Sequence, residues 1–118
     1  MLKRILIVED EPNMRLLLEE EFTDEGYEVI STSSGKKAPE ILEESKIDLV
    51  TIDIEMPDIN GLELAGLLRK DYPGLKIVLL TAYSHYKQDL SSWAADAYIV
   101  KSSDLGELKK TIRELLEQ

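Results

Sequence analysis

Residues 49–61 read LVTIDIEMPDING. The run 49–54 is mostly apolar and has the length of a strand, but it carries one aspartate, Asp53, near its end. An isolated carboxylate is costly on a buried strand, because burial disfavours its charge. We therefore expect Asp53 to emerge at the carboxyl end of the strand, beside groups that offset this charge.

Short apolar runs alternate with helical patterns on both sides of this stretch. Strands are predicted at residues 5–8, 27–32, 49–53, 76–82 and 97–101. Helical spacing predicts helices at residues 12–26, from 38 onward, at 62–72, at 86–94 and from 104 onward. Strands that alternate with helices in this way indicate an α/β fold with a parallel sheet.

The polarity of the strands predicts their order. Central strands of a parallel sheet are covered on both faces and read as apolar runs, whereas an edge strand can alternate in polarity. Residues 27–32 (YEVIST) alternate, so we place the second strand at the edge. This favours the order 2-1-3-4-5 of the flavodoxin-like, doubly wound arrangement of five strand–helix units.

Local patterns make predictions about three of the helices. In the first helix, the residues expected to face the core are Met14, Leu17, Leu18 and Phe22. Pro39 lies inside the second helical pattern, where it lacks a donor, so we expect that helix to start late or to be distorted. Asp104 and Glu107 form a pattern like a capping box, which predicts that the fifth helix begins near Asp104.

The composition limits the classes of function. The chain has 118 residues, of which 43% are hydrophobic and 32% charged, and no linker-like stretch divides it, so we expect residues 1–118 to form a single domain. We interpret most charges, Arg69 and Lys70 among them, as solvated surface. The absence of cysteine excludes disulfides and thiolate metal sites.

The charge and hydropathy of the chain also bear on its partners. A net charge of −10 argues against non-specific nucleic-acid binding, which requires a basic surface. The sequence has neither an apolar run of about 18 residues, as a membrane span requires, nor a signal peptide. We therefore expect a cytoplasmic protein without a membrane partner or a direct nucleic-acid partner.

Charged and polar side chains follow four of the predicted strands. The residues at these positions are Glu9, Asp10, Asp53, Thr81 and Lys101. Each alone has an ordinary structural explanation, such as a cap, a buried hydroxyl or a solvated strand end. In a sheet of this type, however, ligands bind outside the carboxyl ends of the strands. Together, the five residues therefore predict one common site.

The residue types at this site suit phosphoryl chemistry. Clustered carboxylates repel one another unless a cation neutralises them, and Mg²⁺ binds carboxylates together with waters and phosphate oxygens. A lysine can hold a phosphoryl oxygen, and an aspartate can attack phosphorus to form an acyl phosphate. The set therefore predicts a Mg²⁺-dependent phosphoryl-transfer site with Asp53 as nucleophile, assisted by Lys101 and Thr81.

These motifs resemble, over the whole chain, those of the receiver domain of two-component response regulators. The segments that carry the resemblance are VEDE (8–11), DIEMPDING (53–61), LLTA (79–82) and YIVK (98–101). The resemblance implies that Asp53 accepts a phosphoryl group from a sensor histidine kinase or a histidine phosphotransfer protein and signals to a downstream protein effector. It leaves open whether the receiver domain stands alone or belongs to a longer regulator.

The resemblance also implies the ligands of the metal. Asp10 would bind Mg²⁺ directly and Glu9 would bind it through water. Asp53 and the backbone carbonyl of Glu55 would complete the protein ligands. Glu55 is therefore expected to bind the metal through its backbone.

The resemblance also implies a conformational switch. Lys101 would bind the phosphoryl group, Thr81 would swing toward it, and Tyr98 would change rotamer in step. In this family the coupled shift remodels the face made by the fourth helix, the fifth strand and the fifth helix. A homodimer that forms on phosphorylation is compatible with such a face.

The sequence departs from the family pattern after the lysine, where Ser102 replaces the usual proline. A cis peptide at Lys101–Ser102 would cost roughly 2.5–4 kcal/mol, so this loop is expected to be trans or strained. Glu55 and Tyr83 occupy the variable positions that in this family tune the lifetime of the phosphoryl group.

Two other functions fit parts of the pattern. A phosphatase of the haloacid-dehalogenase type also places Asp-x-Asp after a strand, but here Glu55 replaces the second aspartate and the chain is short for a cap domain. A nucleotide- or flavin-binding module would need a Gly-rich phosphate loop, which residues 8–14 (VEDEPNM) lack. We therefore expect a signalling domain rather than an enzyme, although such domains can catalyse their own phosphorylation and dephosphorylation.

Overall fold

A single parallel sheet forms the centre of the protein. The computed structural model describes residues 2–83 and 94–118. The strands are β1 (Arg4–Val8), β2 (Glu28–Thr32), β3 (Leu49–Asp53), β4 (Lys76–Thr81) and β5 (Ala97–Val100). They lie in the order β2-β1-β3-β4-β5, and all neighbours pair in parallel. The predicted flavodoxin-like order is therefore confirmed, with the second strand at the edge.

Helices cover both faces of the sheet. They are α1 (Pro12–Asp24), α2 (Ala38–Glu44), α3 (Gly61–Asp71) and α4 (Gly106–Leu116), and a short 3-10 turn (Gly35–Lys37) leads into α2. Helix α4 corresponds to the fifth helix of the sequence pattern. The helix predicted at 86–94 lies, except for its last residue, outside the described residues. In the described part of the chain, no helix has the length and apolar character needed to cross a bilayer.

The core consists of two layers, because successive side chains of a strand point to opposite faces of the sheet. The strand residues buried beneath α2 and α3 are Leu6, Val8, Val50, Ile52, Ile77 and Leu79. Those buried beneath α1 and α4 are Ile5, Ile7, Leu49, Val78, Leu80 and Ile99. Strand β3 is buried along its full length, Thr51 and Asp53 included, so it is held on both faces.

The register of the strands aligns their carboxyl ends. Residues that lie side by side near this edge are Val8 with Ile52, Asp53 with Leu80, and Thr81 with Val100. Glu9 comes directly after β1 and therefore lies next to Asp53. Lys101 comes directly after β5, and its backbone N–H donates to the Thr81 carbonyl at 2.6 Å. The sheet thus delivers the predicted site residues to one edge.

The first two helices differ in how well their sequence patterns predicted them. Leu18 and Phe22 of α1 are fully buried as predicted, but Leu17 is 38% exposed, so its assignment to the core was wrong. Helix α2 begins at Ala38, the first residue of its predicted pattern, so the expected late start was wrong, and Pro39 is its second residue. At this position a helical N–H has no partner within the helix, so proline costs little.

Helix α4 begins later than the sequence pattern predicted. Its N-cap is Leu105, which makes no side-chain capping bond, and the first helical residue is Gly106. The Asp104 carboxylate instead accepts the Gly106 N–H at 2.8 Å. Asp104 therefore supports the turn that precedes the helix, and the predicted capping box was wrong.

Candidate functional site

Three carboxylates meet at the carboxyl edge of the sheet. Glu9, Asp10 and Asp53 each offer an oxygen, and these oxygens lie within 4.8 Å of one another. Glu9 is 0% and Asp53 is 2% exposed, whereas Asp10 is half-buried. A hard divalent cation with oxygen ligands, such as Mg²⁺, fits this donor set. The sequence therefore predicted the grouping of these three residues correctly.

Lys101 bridges two of these carboxylates. Its Nζ lies 3.0 Å from Glu9 Oε1 and 3.2 Å from Asp53 Oδ1. The lysine side chain remains 22% exposed, so the contact is only partly shielded from solvent. One positive charge is thus shared between two buried acids, and it reduces the repulsion between them.

The electrostatic environment makes Asp53 hard to ionise in the metal-free protein. Burial, followed by the charge of Glu9, raises the pKa of Asp53 to about 7, although Lys101 opposes this shift. Burial alone would lower the pKa of Lys101, but its bonds to Glu9 and the charges of both acids outweigh burial and raise it. Three carboxyl groups thus face one ammonium group, and a bound cation would offset the excess negative charge.

The loop after β3 and the start of α3 make close contacts with Asp53. The Asp53 Oδ1 atom accepts the Glu55 N–H at 3.2 Å. Gly61 packs so tightly that a Cβ atom there would lie 2.4 Å from the Asp53 carbonyl oxygen. Its N–H donates to the Ile54 carbonyl at 2.9 Å, and Asn60 caps α3 by accepting the Leu62 N–H at 2.7 Å. The glycine of the DIEMPDING motif is therefore required by this close approach.

The start of α1 holds Glu9 in place, which the sequence analysis did not predict. Arg15 Nη1 donates to the Glu9 backbone carbonyl at 2.9 Å, and the Glu11 N–H donates to Glu9 Oε2 at 3.2 Å. Glu11 also caps α1 by accepting the N–H groups of Asn13 and Met14. The acidic run VEDE therefore combines a helix cap with residues of the carboxylate group.

Thr81 and Glu55 form a second contact at this edge. The Thr81 hydroxyl donates to Glu55 Oε2 at 2.7 Å, and it accepts the Tyr83 N–H at 3.1 Å. The Ala82 N–H also points to Glu55, at 3.4 Å from Oε1. The Glu55 side chain thus turns toward the end of β4. The group of three carboxylates does not include it, so the predicted contribution of Glu55 to a metal site concerns its backbone carbonyl alone.

The remaining site residues lie on β5 and directly after it. The Tyr98 hydroxyl donates to the Tyr83 carbonyl, which links β5 to the loop after β4. The Lys101–Ser102 peptide is trans, and Ser102 Oγ accepts the Asp104 N–H at 3.1 Å. Replacement of the usual proline by Ser102 therefore leaves Lys101 in contact with both acids.

Comparisons with known proteins agree with this fold and site. The family model described as the response regulator receiver domain matches residues 5–113. The TorCAD operon transcriptional regulatory protein TorR of Escherichia coli (strain K12) is 39% identical over 114 residues. This match covers 95% of the chain and 49% of TorR, so the chain spans about half the length of that relative.

Solved structures give the same result. The response regulator TrrA of Thermotoga maritima, crystallised with Mg²⁺ and BeF, is 54% identical, with a TM-score of 0.92 over 97% of this chain and 99% of that chain. TrrA in complex with the histidine kinase ThkA matches with a TM-score of 0.90 at 54% identity, over 98% of this chain and 99% of that chain. By its sequence, its strand order and the residues at its sheet edge, this chain belongs to the family of response regulator receiver domains.

Proposed function

We propose that residues 1–118 form one receiver domain, in which Asp53 accepts a phosphoryl group from a histidine kinase or a histidine phosphotransfer protein. One observation carries this proposal: the Asp53 carboxylate lies at the sheet edge, grouped with Glu9 and Asp10 and 3.2 Å from Lys101. The similar protein TrrA was crystallised with a histidine kinase, which supports a kinase as partner.

Glu9, Asp10 and Asp53 are the residues that would hold Mg²⁺, with the Glu55 backbone carbonyl as a further ligand. TrrA was crystallised with Mg²⁺ and BeF, which supports this assignment. When bound, the cation neutralises charge on the phosphoryl oxygens. In the transfer, an Asp53 oxygen attacks phosphorus while the bond from phosphorus to the donor nitrogen breaks, and the histidine leaves.

Lys101 and Thr81 assist Asp53 in this proposal. Lys101 is already placed between two carboxyl groups, and a phosphoryl group on Asp53 gives its ammonium a new anionic partner. Thr81 turns its hydroxyl to the phosphoryl group, and Tyr98 changes rotamer. The change alters the surface around β5 and α4 that a downstream protein effector, or a second copy of the chain, would contact.

Transfer within a cytoplasmic signalling pathway, rather than turnover of an external substrate, is the activity we propose. The domain would assist its own phosphorylation and dephosphorylation through the same residues. A phosphatase of the haloacid-dehalogenase type would need a second free carboxylate after Asp53. The candidate for it, Glu55, accepts a hydrogen bond from Thr81 instead.

Incubation with a small acyl phosphate, followed by intact mass measurement, tests the phosphoacceptor assignment. We expect the wild-type chain to gain one phosphoryl group in the presence of Mg²⁺ and none after chelation. Asp53→Asn should gain none. Asp71→Asn, which changes an exposed aspartate at the far end of α3, should behave as wild type. A phosphoryl group on the Asp53→Asn variant, or no gain by wild type with a competent donor, would contradict the proposal.

A further inference from the structure

We propose that Glu55 is a positioning residue that holds the Thr81 hydroxyl in the unphosphorylated chain and competes for it with the phosphoryl group on Asp53. The inference deepens the proposed function and rests on it. The feature behind it is the contact between the Glu55 carboxylate and the end of β4, which is separate from the carboxylate group formed by Glu9, Asp10 and Asp53.

The contact has the geometry of a specific bond. Thr81 Oγ1 lies 2.7 Å from Glu55 Oε2, a distance typical of a hydroxyl that donates to a carboxylate. The Tyr83 N–H donates to the same hydroxyl at 3.1 Å, which directs its proton away from the backbone and toward Glu55. Thr81 is 0% exposed, so water does not compete for this hydroxyl.

The competition follows from the number of protons on the hydroxyl. A threonine side chain has one O–H donor, and here that donor is used by Glu55. Thr81 cannot donate to Glu55 and to a phosphoryl oxygen at the same time. A phosphoryl group on Asp53 must therefore displace a charge-assisted bond before it gains its own.

The position of Glu55 makes this competition direct. Its backbone N–H donates to Asp53 Oδ1 at 3.2 Å, so the residue that holds Thr81 is itself fixed beside the phosphoacceptor. Its carboxylate would also lie close to a doubly negative phosphoryl group, which adds repulsion to the loss of the Thr81 bond. Both effects weight the two states of the switch toward the unphosphorylated one.

Two substitutions remove the contact to different degrees. Glu55→Gln keeps an acceptor for the hydroxyl but loses the charge, whereas Glu55→Ala loses both. With beryllofluoride and Mg²⁺ as the phosphoryl mimic, we expect Glu55→Ala to bind roughly five- to tenfold more tightly than wild type, and Glu55→Gln to lie between them. Glu63→Gln, which removes an exposed carboxylate on α3, is the matched control and should bind as wild type.

A double-mutant cycle separates the shared hydroxyl from simple charge repulsion. In a Thr81→Val background the hydroxyl is absent, so we expect the gain from Glu55→Ala to fall to less than about twofold. An equal gain in both backgrounds would overturn the competition for Thr81, as would weaker binding by Glu55→Ala. A wild-type chain that binds no beryllofluoride would contradict the proposed function itself and the competition with it.

A measurement without any phosphoryl mimic tests the resting contact. In wild type we expect NMR couplings of the Thr81 side chain to report a single χ1 rotamer, held by Glu55. In Glu55→Ala the couplings should shift toward an average over rotamers, and in Glu63→Gln they should not change. Thr81 couplings that stay the same in Glu55→Ala would overturn the proposal, whatever the beryllofluoride titrations give.

Discussion

At the scale of single residues, we expect the site to lower the stability of the protein when no metal is bound. Asp53 is 2% exposed and lies beside buried Glu9, and the single ammonium of Lys101 is shared between them. Such a cluster does not stabilise the folded state, since burying a carboxylate costs free energy unless its charge is offset. We therefore expect the cost of this cluster to be measurable as a change in the free energy of unfolding.

Asp53→Asn should stabilise the metal-free chain, and more so as the pH rises. The pKa of Asp53 is raised from 3.8 to about 7 in the folded protein. Its contribution to stability is therefore fully present below the unfolded pKa and is lost as the pH rises through the folded pKa. Asparagine does not titrate, so the variant should gain about 1–3 kcal/mol over wild type between about pH 5 and about pH 8.

Urea unfolding in the presence of a chelator at both pH values measures this difference. Asp71→Asn removes an exposed carboxylate. Its free energy of unfolding should differ from that of wild type by an amount that does not change with pH. The assignment of the raised pKa to Asp53 would be wrong if the Asp53→Asn variant lost stability relative to wild type as the pH rose.

At the scale of elements, the glycine of the central motif connects β3 to α3. A Cβ atom on Gly61 would lie 2.4 Å from the Asp53 carbonyl oxygen and 2.7 Å from Ile54 Cα. Both are backbone atoms, one of Asp53 itself and one of the residue directly after it, so neither can move without shifting Asp53. Gly66, on the same helix, has no atom within 4 Å of such a Cβ atom.

Gly61→Ala should therefore destabilise the protein and impair the site, whereas Gly66→Ala should do neither. We expect a loss of about 2–3 kcal/mol for Gly61→Ala from overpacking, and a gain of about 0.5–1 kcal/mol for Gly66→Ala from helix propensity. Chemical denaturation gives the stabilities, and the acyl-phosphate assay gives the rate of phosphorylation. Equal stability of the two variants would show that the close approach at Gly61 is relaxed in solution.

The sequence predicted the elements better than the contacts between them. Apolar runs and helical spacing were enough for the order of the sheet, because strand burial on two faces leaves a direct pattern in the residues. Arg69 was interpreted as a solvated charge. It donates instead to Asp96 and to three backbone carbonyls, those of Pro73, Leu75 and Ala94. Backbone acceptors have no signature in the sequence, so such a contact is visible only in the fold.

The same limit applied at the site. Residue type and position after a strand predicted that Glu9, Asp10, Asp53 and Lys101 would meet. The direction of the Glu55 side chain was not predictable, because it depends on a rotamer and on the distance between β3 and β4. The prediction that Leu17 is buried was wrong for a related reason, because helical spacing alone does not define how wide the buried stripe of α1 is.

At the scale of the whole molecule, the carboxylate group couples cation binding to folding. The three oxygens of Glu9, Asp10 and Asp53 come from the loop after β1 and from β3, so they converge only in the folded chain. A cation that binds there stabilises the folded state by an amount that grows with its concentration. Residues far apart in the sequence thereby contribute together to the free energy of unfolding in the presence of the cation.

Mg²⁺ should raise the stability of the wild-type chain, and the increase should be larger at about pH 8 than at about pH 6. At one hundred times the dissociation constant, the expected gain is about 2.7 kcal/mol. The pKa of Asp53 is about 7 without metal, so below this pH a proton competes with Mg²⁺ for the carboxylate. Thermal unfolding with and without MgCl₂ measures the gain. Asp10→Asn should lose most of it and Asp71→Asn should keep it. A gain that is equal in the two variants, or that grows as the pH falls, would locate the bound Mg²⁺ elsewhere on this acidic chain.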